Sequence, residues 1–369
     1  MRKPKILFLM QLPPPVHGAS VVNKSIMDSP RLNSTFNTLF FNISPAKDLT
    51  DIGNFSLKKI FLFLSIAFNS TRLYLKFKPD LVYLTLSPHG LGLYKDGIIA
   101  LIIKAFGGKL VFHLHGKGIK KTAESNKFKL YVYRLIFKKA SIIHLAQSLF
   151  YDVEPVRDRS SSLVAIPNGI SPPQVTVDNT KKQSTFTFIY LSNLVRTKGA
   201  DILIKAASIV NKTHSGLFKV KIIGKPSNLQ YKEELDSLIT PELHNSISFL
   251  GPLYDKKKTD ELSSSHVFVL PTKNDCFPLS ILEAMAAGLV VISTNEGAIS
   301  DIVDHGVTGE LLQEATPESL AEVMIRFIDD STYYSSCALA GHKKFMLQYT
   351  KSTFEHNLIT ELSKLTNRH

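Results

Sequence analysis

The sequence predicts an α/β fold of two doubly wound, parallel-sheet domains. Short apolar runs alternate with helical patterns almost throughout the 369 residues, and alternation at this spacing builds parallel sheets covered on both faces. The expected strands are too many for one sheet, since twisted open sheets rarely exceed about ten strands and single cores stop growing with chain length. Charge is divided too: residues 1–180 hold 24 Lys and Arg against 10 Asp and Glu, whereas 181–369 hold 20 against 21. A basic half joined to a neutral half implies domains with different partners.

The first strand is expected at 6–10, an apolar run stopped by Pro13-Pro14-Pro15. Met1-Arg2-Lys3-Pro4-Lys5 ahead of it imitates a secretory leader, but the run is too short and no small-residue cleavage site follows. Further strands are expected at 81–84, 110–115, 142–145 and 163–166 in the basic half. The neutral half supplies 187–191, 219–223, 247–250, 267–270 and 290–293, each an apolar run bounded by turn residues. Helices are expected at 198–210, 229–238 and 279–287. Residues 167–184, rich in Pro, Asn, Ser, Thr and Lys, read as the linker.

Composition narrows the class. With 44% hydrophobic and 20% charged residues, the balance is globular and excludes disorder, collagen and coiled coil. Two cysteines, Cys276 and Cys337, exclude a disulfide framework and fit a reducing compartment. The longest apolar stretch, 60–68, is well short of the roughly 18–20 residues needed to span a bilayer. A cytoplasmic protein is the expectation.

Four segments carry chemistry. In Val16-His17-Gly18, after the first strand, a glycine at a strand-to-helix turn lets backbone N–H groups approach a phosphate. A tight turn with Gly18 at positive φ is the competing reading. In Lys109 to Gly116, period-2 alternation puts Val111, His113 and His115 on one face. His115 lies nearest the carboxyl end of the strand, where ligands of open α/β sheets bind, and His113 reads as a hydrogen-bonded core residue. An H-x-H metal pair is the rival, but no HExxH or Cys/His set accompanies it, so no metal is expected.

The third segment, 192–199, puts Arg196 and Lys198 just ahead of a helix N-terminus, opposing its dipole at about 0.3–1 kcal/mol each. Either an anion binds there or two solvated cations are exposed. The fourth runs from Asn274 to Gly288. Pro278 suits the first helical position and Gly288 the C-terminal stop. Inside this helix all but Ser280 and Glu283 are apolar, so it is expected to be buried all round. A lone buried carboxylate is costly, so Glu283 needs a partner, which ligand hydroxyls reaching over the helix N-terminus would supply. Asp275 lies eight positions earlier, in the loop that opens the helix.

Together these residues resemble the family 4 glycosyltransferases, the retaining group-1 type with the GT-B fold. Asp275 and Glu283 around Phe277-Pro278-Leu279 are similar to that family's E-x(7)-E motif. Val16-His17-Gly18, His115-Gly116, Ile166-Pro167-Asn168-Gly169-Ile170, Lys198-Gly199, Phe249-Leu250-Gly251 and 301–309 fall in the family's order over nearly the whole chain. The resemblance implies two Rossmann-like domains facing across a cleft: 1–173, completed by a C-terminal helix over 350–369, and 174–349, which would take a nucleotide-sugar donor. Glu283 would accept hydrogen bonds from ribose hydroxyls, and Lys198 would neutralise the diphosphate, helped by amides around Gly18. Asp275, Phe277, Leu279 and Ser280 would hold the donor sugar, His115 would sit by the anomeric carbon, and Leu253 or Tyr254 would flank the base. Two departures stand out. Ser192-Asn193 replaces the family's Gly-Arg, leaving Arg196 as the candidate substitute, and the motif's first glutamate is Asp275.

The leading expectation is a retaining enzyme that moves a hexose from a UDP- or GDP-sugar to a saccharide acceptor. The acceptor would be lipid-linked, in bacterial surface polysaccharide or lipopolysaccharide synthesis, with no cofactor or protein-bound metal. A nucleotide-sugar 2-epimerase and a phosphorylase-like enzyme are same-fold alternatives, against which the 277–283 motif speaks. A Rossmann dehydrogenase is not expected, because no G-x-G-x-x-G follows a strand. A basic nucleic-acid-binding protein is the alternative of another class. Lys117, Lys120, Lys121, Lys127, Lys129, Arg134, Lys138 and Lys139 crowd one stretch, but it shows no helix-turn-helix, RNP or zinc pattern, so no nucleic acid is expected. At helical spacing Phe128, Val132, Leu135 and Ile136 share one face flanked by most of these cations. This helix either packs its stripe on its own domain or docks on an anionic leaflet, placing the protein peripherally on the inner face of the membrane.

Overall fold

The alternation closes into two sheets whose strands all run parallel. The computed structural model describes residues 2–44, 57–173 and 185–367; the expected linker lies outside the described residues from 174 to 184. The chain forms two compact units, Met1–Gly169 with Ser352–His369, and Ile170–Lys351.

The first unit runs β1 (Lys5–Met10), α1 (Gly18–Met27), α2 (Pro30–Thr35), β2 (Asn37–Asn42), α3 (Leu57–Phe77) and β3 (Leu81–Thr85). It continues through α4 (Gly90–Ala105), β4 (Leu110–His113), α5 (Ile119–Ala123), α6 (Lys127–Phe137), β5 (Ala140–His144) and β6 (Leu163–Ala165). Its sheet has the order β2-β1-β3-β4-β5-β6. Strands β3 and β4 are buried along their whole length, which is why they read as unbroken apolar runs.

The second unit runs β7 (Phe186–Leu191), α7 (Ala200–His214), β8 (Phe218–Ile223), α8 (Leu229–Ser237), β9 (Ile247–Gly251), α9 (Asp255–Ser263) and β10 (Val267–Leu270). Then come α10 (Leu279–Ala286), β11 (Val290–Thr294), α11 (Ile299–Ile302), β12 (Gly309–Leu312), α12 (Pro317–Asp329) and α13 (Ser331–Gln348). The order is β12-β11-β10-β7-β8-β9. The last helix, α14 (Lys351–Asn367), buries Phe354, Leu358 and Leu362. In the first unit Phe354 stacks on His113 at 6.5 Å, and Glu361 accepts a hydrogen bond from Ser162 at 3.1 Å.

Several local expectations need correction. Strands β2 and β12 are not among those expected. The first is a half-buried edge strand with polar ends. The second carries Glu310, a buried carboxylate paired with Arg326 at 2.7 Å and with the Tyr333 hydroxyl. Neither is an apolar run. Lys198 lies in a 3-10 turn, Arg196–Lys198, and Gly199 at φ 76° separates it from α7. Pro278 is the N-cap of α10, with ψ 118°, and not its first helical residue. Helix α6 buries Tyr133, Ile136 and Phe137, whereas Phe128 and Leu135 of the expected stripe are exposed. Its inward face is set by Gly97 of α4, whose missing side chain admits Ile136.

Each sheet grows outward in both directions from its first strand, so it reverses between β1 and β3 and between β7 and β10. Ligands of open α/β sheets bind outside the carboxyl ends of the strands at such switch points.

Candidate functional site

In the first unit, Gln11 after β1 donates to the Ser87 hydroxyl after β3 at 3.0 Å, across the switch point. Gly18 is the first residue of α1 and helical, so the positive-φ reading does not hold. A Cβ there would meet nothing within 4 Å, which leaves the helix N-terminus open in front. His17 caps α1: its Nδ1 accepts from the Ser20 N–H at 3.4 Å, and the Ser20 hydroxyl accepts from the His17 N–H at 2.9 Å.

Strand β4 ends at His113, so His115 stands just beyond it, and the two rings lie 4.1 Å apart. His113 Nδ1 is hydrogen-bonded to the buried Tyr83 hydroxyl, and His144 Nδ1 accepts from the Leu145 N–H at 2.9 Å. Among the described residues, His113 Nε2, His144 Nε2 and both His115 nitrogens have no hydrogen-bond partner, so His113 is only half satisfied as a core histidine. Burial, reinforced by the neighbouring His144 and His17, pushes His115 down to about 3. Burial also lowers His144 to about 4 and holds His113 well below its ordinary value. Neutral imidazoles both donate and accept. The cluster therefore suits hydroxyl groups better than a phosphate.

In the second unit the loops leaving β7 and β10 are laced together at the switch point. The Lys273 N–H donates to the Thr197 carbonyl at 2.7 Å, and the Thr272 hydroxyl donates to the same oxygen at 3.1 Å. This brings Lys198 to Asp275. The ammonium pairs with Asp275 Oδ2 and donates to the Asn274 carbonyl at 2.9 Å, while Asp275 Oδ1 accepts from the Cys276 N–H at 2.9 Å. Two of the three Lys198 donors are thereby used, and with side chains 21% and 17% exposed the pair remains accessible.

The two expected cations ahead of α7 are therefore not uncompensated. Arg196 turns to α8, where Glu234 accepts from Nη1 at 2.6 Å and the Tyr231 ring lies 5.1 Å from the guanidinium. Helix α10 opens without a side-chain cap, so the N–H groups of its half-buried first residues, Leu279 and Ser280, are available to an acceptor. Phe277 is buried 6.2 Å from the Tyr349 ring. Glu283 is not the fully buried, lone carboxylate expected. It is 25% exposed and pairs with Lys258 of α9 at 2.7 Å. Half-buried Leu253 and exposed Tyr254 stand where α9 begins.

Residues 174–344 match the family of glycosyl transferases group 1. The match contains Lys198, Lys258, Asp275 and Glu283. Among curated relatives, a sucrose synthase of Melioribacter roseus is 28% identical over 207 residues, 51% of this chain and 26% of that one. The amylovoran biosynthesis glycosyltransferase AmsK of Erwinia amylovora is 21% identical over 271 residues, 71% of this chain and 66% of that one. The chain thus spans less than two thirds of the length of these relatives. Among solved structures, a glycosyltransferase from Rickettsia africae superposes with TM-score 0.78 at 15% identity over 100% of both chains. Anabaena HepE in complex with UDP gives 0.72 at 20% identity, over 98% of this chain and 100% of that one. The fold is the two-domain α/β GT-B fold of these glycosyltransferases.

Within the part that matches the group 1 family, Lys258 is the residue that the sequence does not reveal. Asp255-Lys256-Lys257-Lys258 reads as a solvated surface run, and the only signal was that Glu283 required a partner. Among the described residues, no group of three or more His, Cys, Asp or Glu is placed to hold a metal ion.

Proposed function

We infer that the chain is a glycosyltransferase that moves a hexose from a UDP- or GDP-sugar, with retention, to a lipid-linked saccharide during assembly of a bacterial surface polysaccharide. The observation that carries this reading is the Lys198–Asp275 pair at the switch point of the second sheet, beside the uncapped α10 that bears Glu283. Negative charge grows on a departing diphosphate, and a preorganised ammonium and helix N-terminus stabilise it without reorganising. These cations take the part a bound metal plays elsewhere. Glu283 accepts from the ribose hydroxyls, Asp275 and the amides of Leu279 and Ser280 hold the sugar, and in the first unit the neutral His115 offers hydrogen bonds to saccharide hydroxyls. The UDP held by HepE supports a nucleotide-sugar donor, and the amylovoran biosynthesis named for AmsK supports a role in polysaccharide assembly.

The test is purified chain with a panel of UDP- and GDP-sugars, with and without a chelator, reading binding, hydrolysis and transfer to a lipid-linked saccharide. Acceptor-dependent turnover of one donor, unchanged by chelator, is expected. Epimer release without acceptor, or phosphate-dependent breakdown, would instead identify an epimerase or phosphorylase-like enzyme. Failure to bind any nucleotide sugar rejects the reading.

A further inference from the structure

Three helices of the first unit lie side by side and turn apolar residues toward solvent. Helix α3 packs on α4, and α4 on α6. The Tyr74 hydroxyl donates to the Phe106 carbonyl at 3.2 Å, and Ile136 fills the space beside Gly97. Their inner faces, through Ile66, Ala67, Ile99, Ile103, Ile136 and Phe137, join one core. Those inner contacts satisfy the hydrophobic demand of each helix, so the outer faces are expected to be polar.

They are not. On α3, Phe61, Leu64, Phe68 and Leu75 recur along one outward side, with Phe61 74% and Phe68 68% exposed. On α6, Phe128, Tyr131 and Leu135 do the same, and on α4 so do Leu91, Ile98 and Leu101. Eleven of the 22 exposed large hydrophobic side chains among the described residues stand on these three helices. Exposed apolar side chains gathered on three adjacent helices mark an interaction surface.

Charge identifies the occupant. The sequences of α3 and α6 contain no Asp or Glu, and the one acid of α4, Asp96, is buried and paired with Lys95 at 2.8 Å. Exposed Arg72 and Lys76 flank the stripe of α3, and exposed Lys127, Arg134 and Lys138 flank that of α6. A second copy of this chain would set the cationic face against itself. No described helix is long and apolar enough to cross a membrane, so the fit is to one leaflet. We propose that the outer face of α3, α4 and α6 inserts its aromatic and aliphatic side chains into the interface of an anionic bilayer, with the flanking cations on the lipid headgroups. Apolar insertion and headgroup attraction act together in such binding.

The chain has no tryptophan, which gives a direct test on the whole 369-residue chain. Phe68→Trp places a single Trp on the face, and Leu229→Trp, at an exposed position of the second unit, is the control. With phosphatidylcholine vesicles containing phosphatidylglycerol, the emission of the Phe68→Trp protein shifts to the blue and that of the control does not. Combining Phe61→Ser, Phe68→Ser and Phe128→Ser lowers vesicle partitioning roughly tenfold or more at unchanged charge. Thermal unfolding of that variant stays near wild type, because all three side chains point outward. No blue shift, equal shifts with pure phosphatidylcholine, or unchanged partitioning of the triple variant overturns the proposal. So does a wild-type dimer in light scattering that the triple variant abolishes, since a second copy then covers the face.

Discussion

Glu283 shows how much of a site one carboxylate can announce. Its place in an apolar helix demanded a partner, and the partner is Lys258, from another helix and 25 residues away in sequence. Because the pair is part-exposed, Glu283→Gln is expected to keep the fold. Charge-assisted hydrogen bonds contribute about 1.5–3 kcal/mol, so nucleotide affinity by calorimetry should fall roughly tenfold or more if Glu283 holds ribose as proposed; an unaltered affinity rejects that role. Asp275→Asn tests the neighbouring role, and here the intact donor should lose more affinity than free UDP or GDP. Equal losses would make Asp275 a support for Lys198 and not a sugar contact. Lys198→Ala should lower kcat more than donor binding, since diphosphate charge is greatest in the transition state.

At the scale of elements, the loop from β10 to α10 is positioned by backbone packing. Gly297 has φ +62°, and a Cβ there would stand 2.5 Å from the Asp275 carbonyl and 2.6 Å from that of Cys276. Gly297→Ala therefore meets a backbone penalty of about 1–2 kcal/mol and also displaces the loop that carries Asp275. A lower Tm is expected, together with a lower kcat at a temperature where the variant is still folded; a variant with wild-type Tm and kcat would show the contact to be slack. Sequence periodicity located most strands and the helices α7, α8 and α10 but not the facing of α6. Phe128 and Leu135 share an apolar spacing with Ile136, and only Gly97 on a neighbouring helix determines which part of that arc turns inward.

For the whole molecule, the histidines of the first unit couple stability to pH. The folded values of His115, about 3, and His144, about 4, lie below the unfolded reference of about 6.5. Between those limits the unfolded chain binds more protons, so stability is fully present above about pH 6.5 and declines as pH falls toward about 4. Denaturant unfolding of the first unit should weaken from about pH 7 to about pH 5, and His144→Asn should flatten the slope; a pH-independent midpoint would contradict the buried, neutral cluster. The sequence by itself determined the α/β class, most strands, and Lys198, Asp275 and Glu283 as candidates, because apolar period and isolated polar residues are local signals. Only the tertiary structure decided that Lys198 meets Asp275, that Glu234 takes Arg196, that Lys258 meets Glu283, and that α3, α4 and α6 share an apolar outer face. Those pairings join residues distant in the chain, and their partners are chosen by strand order and helix packing, which no single stretch of sequence encodes.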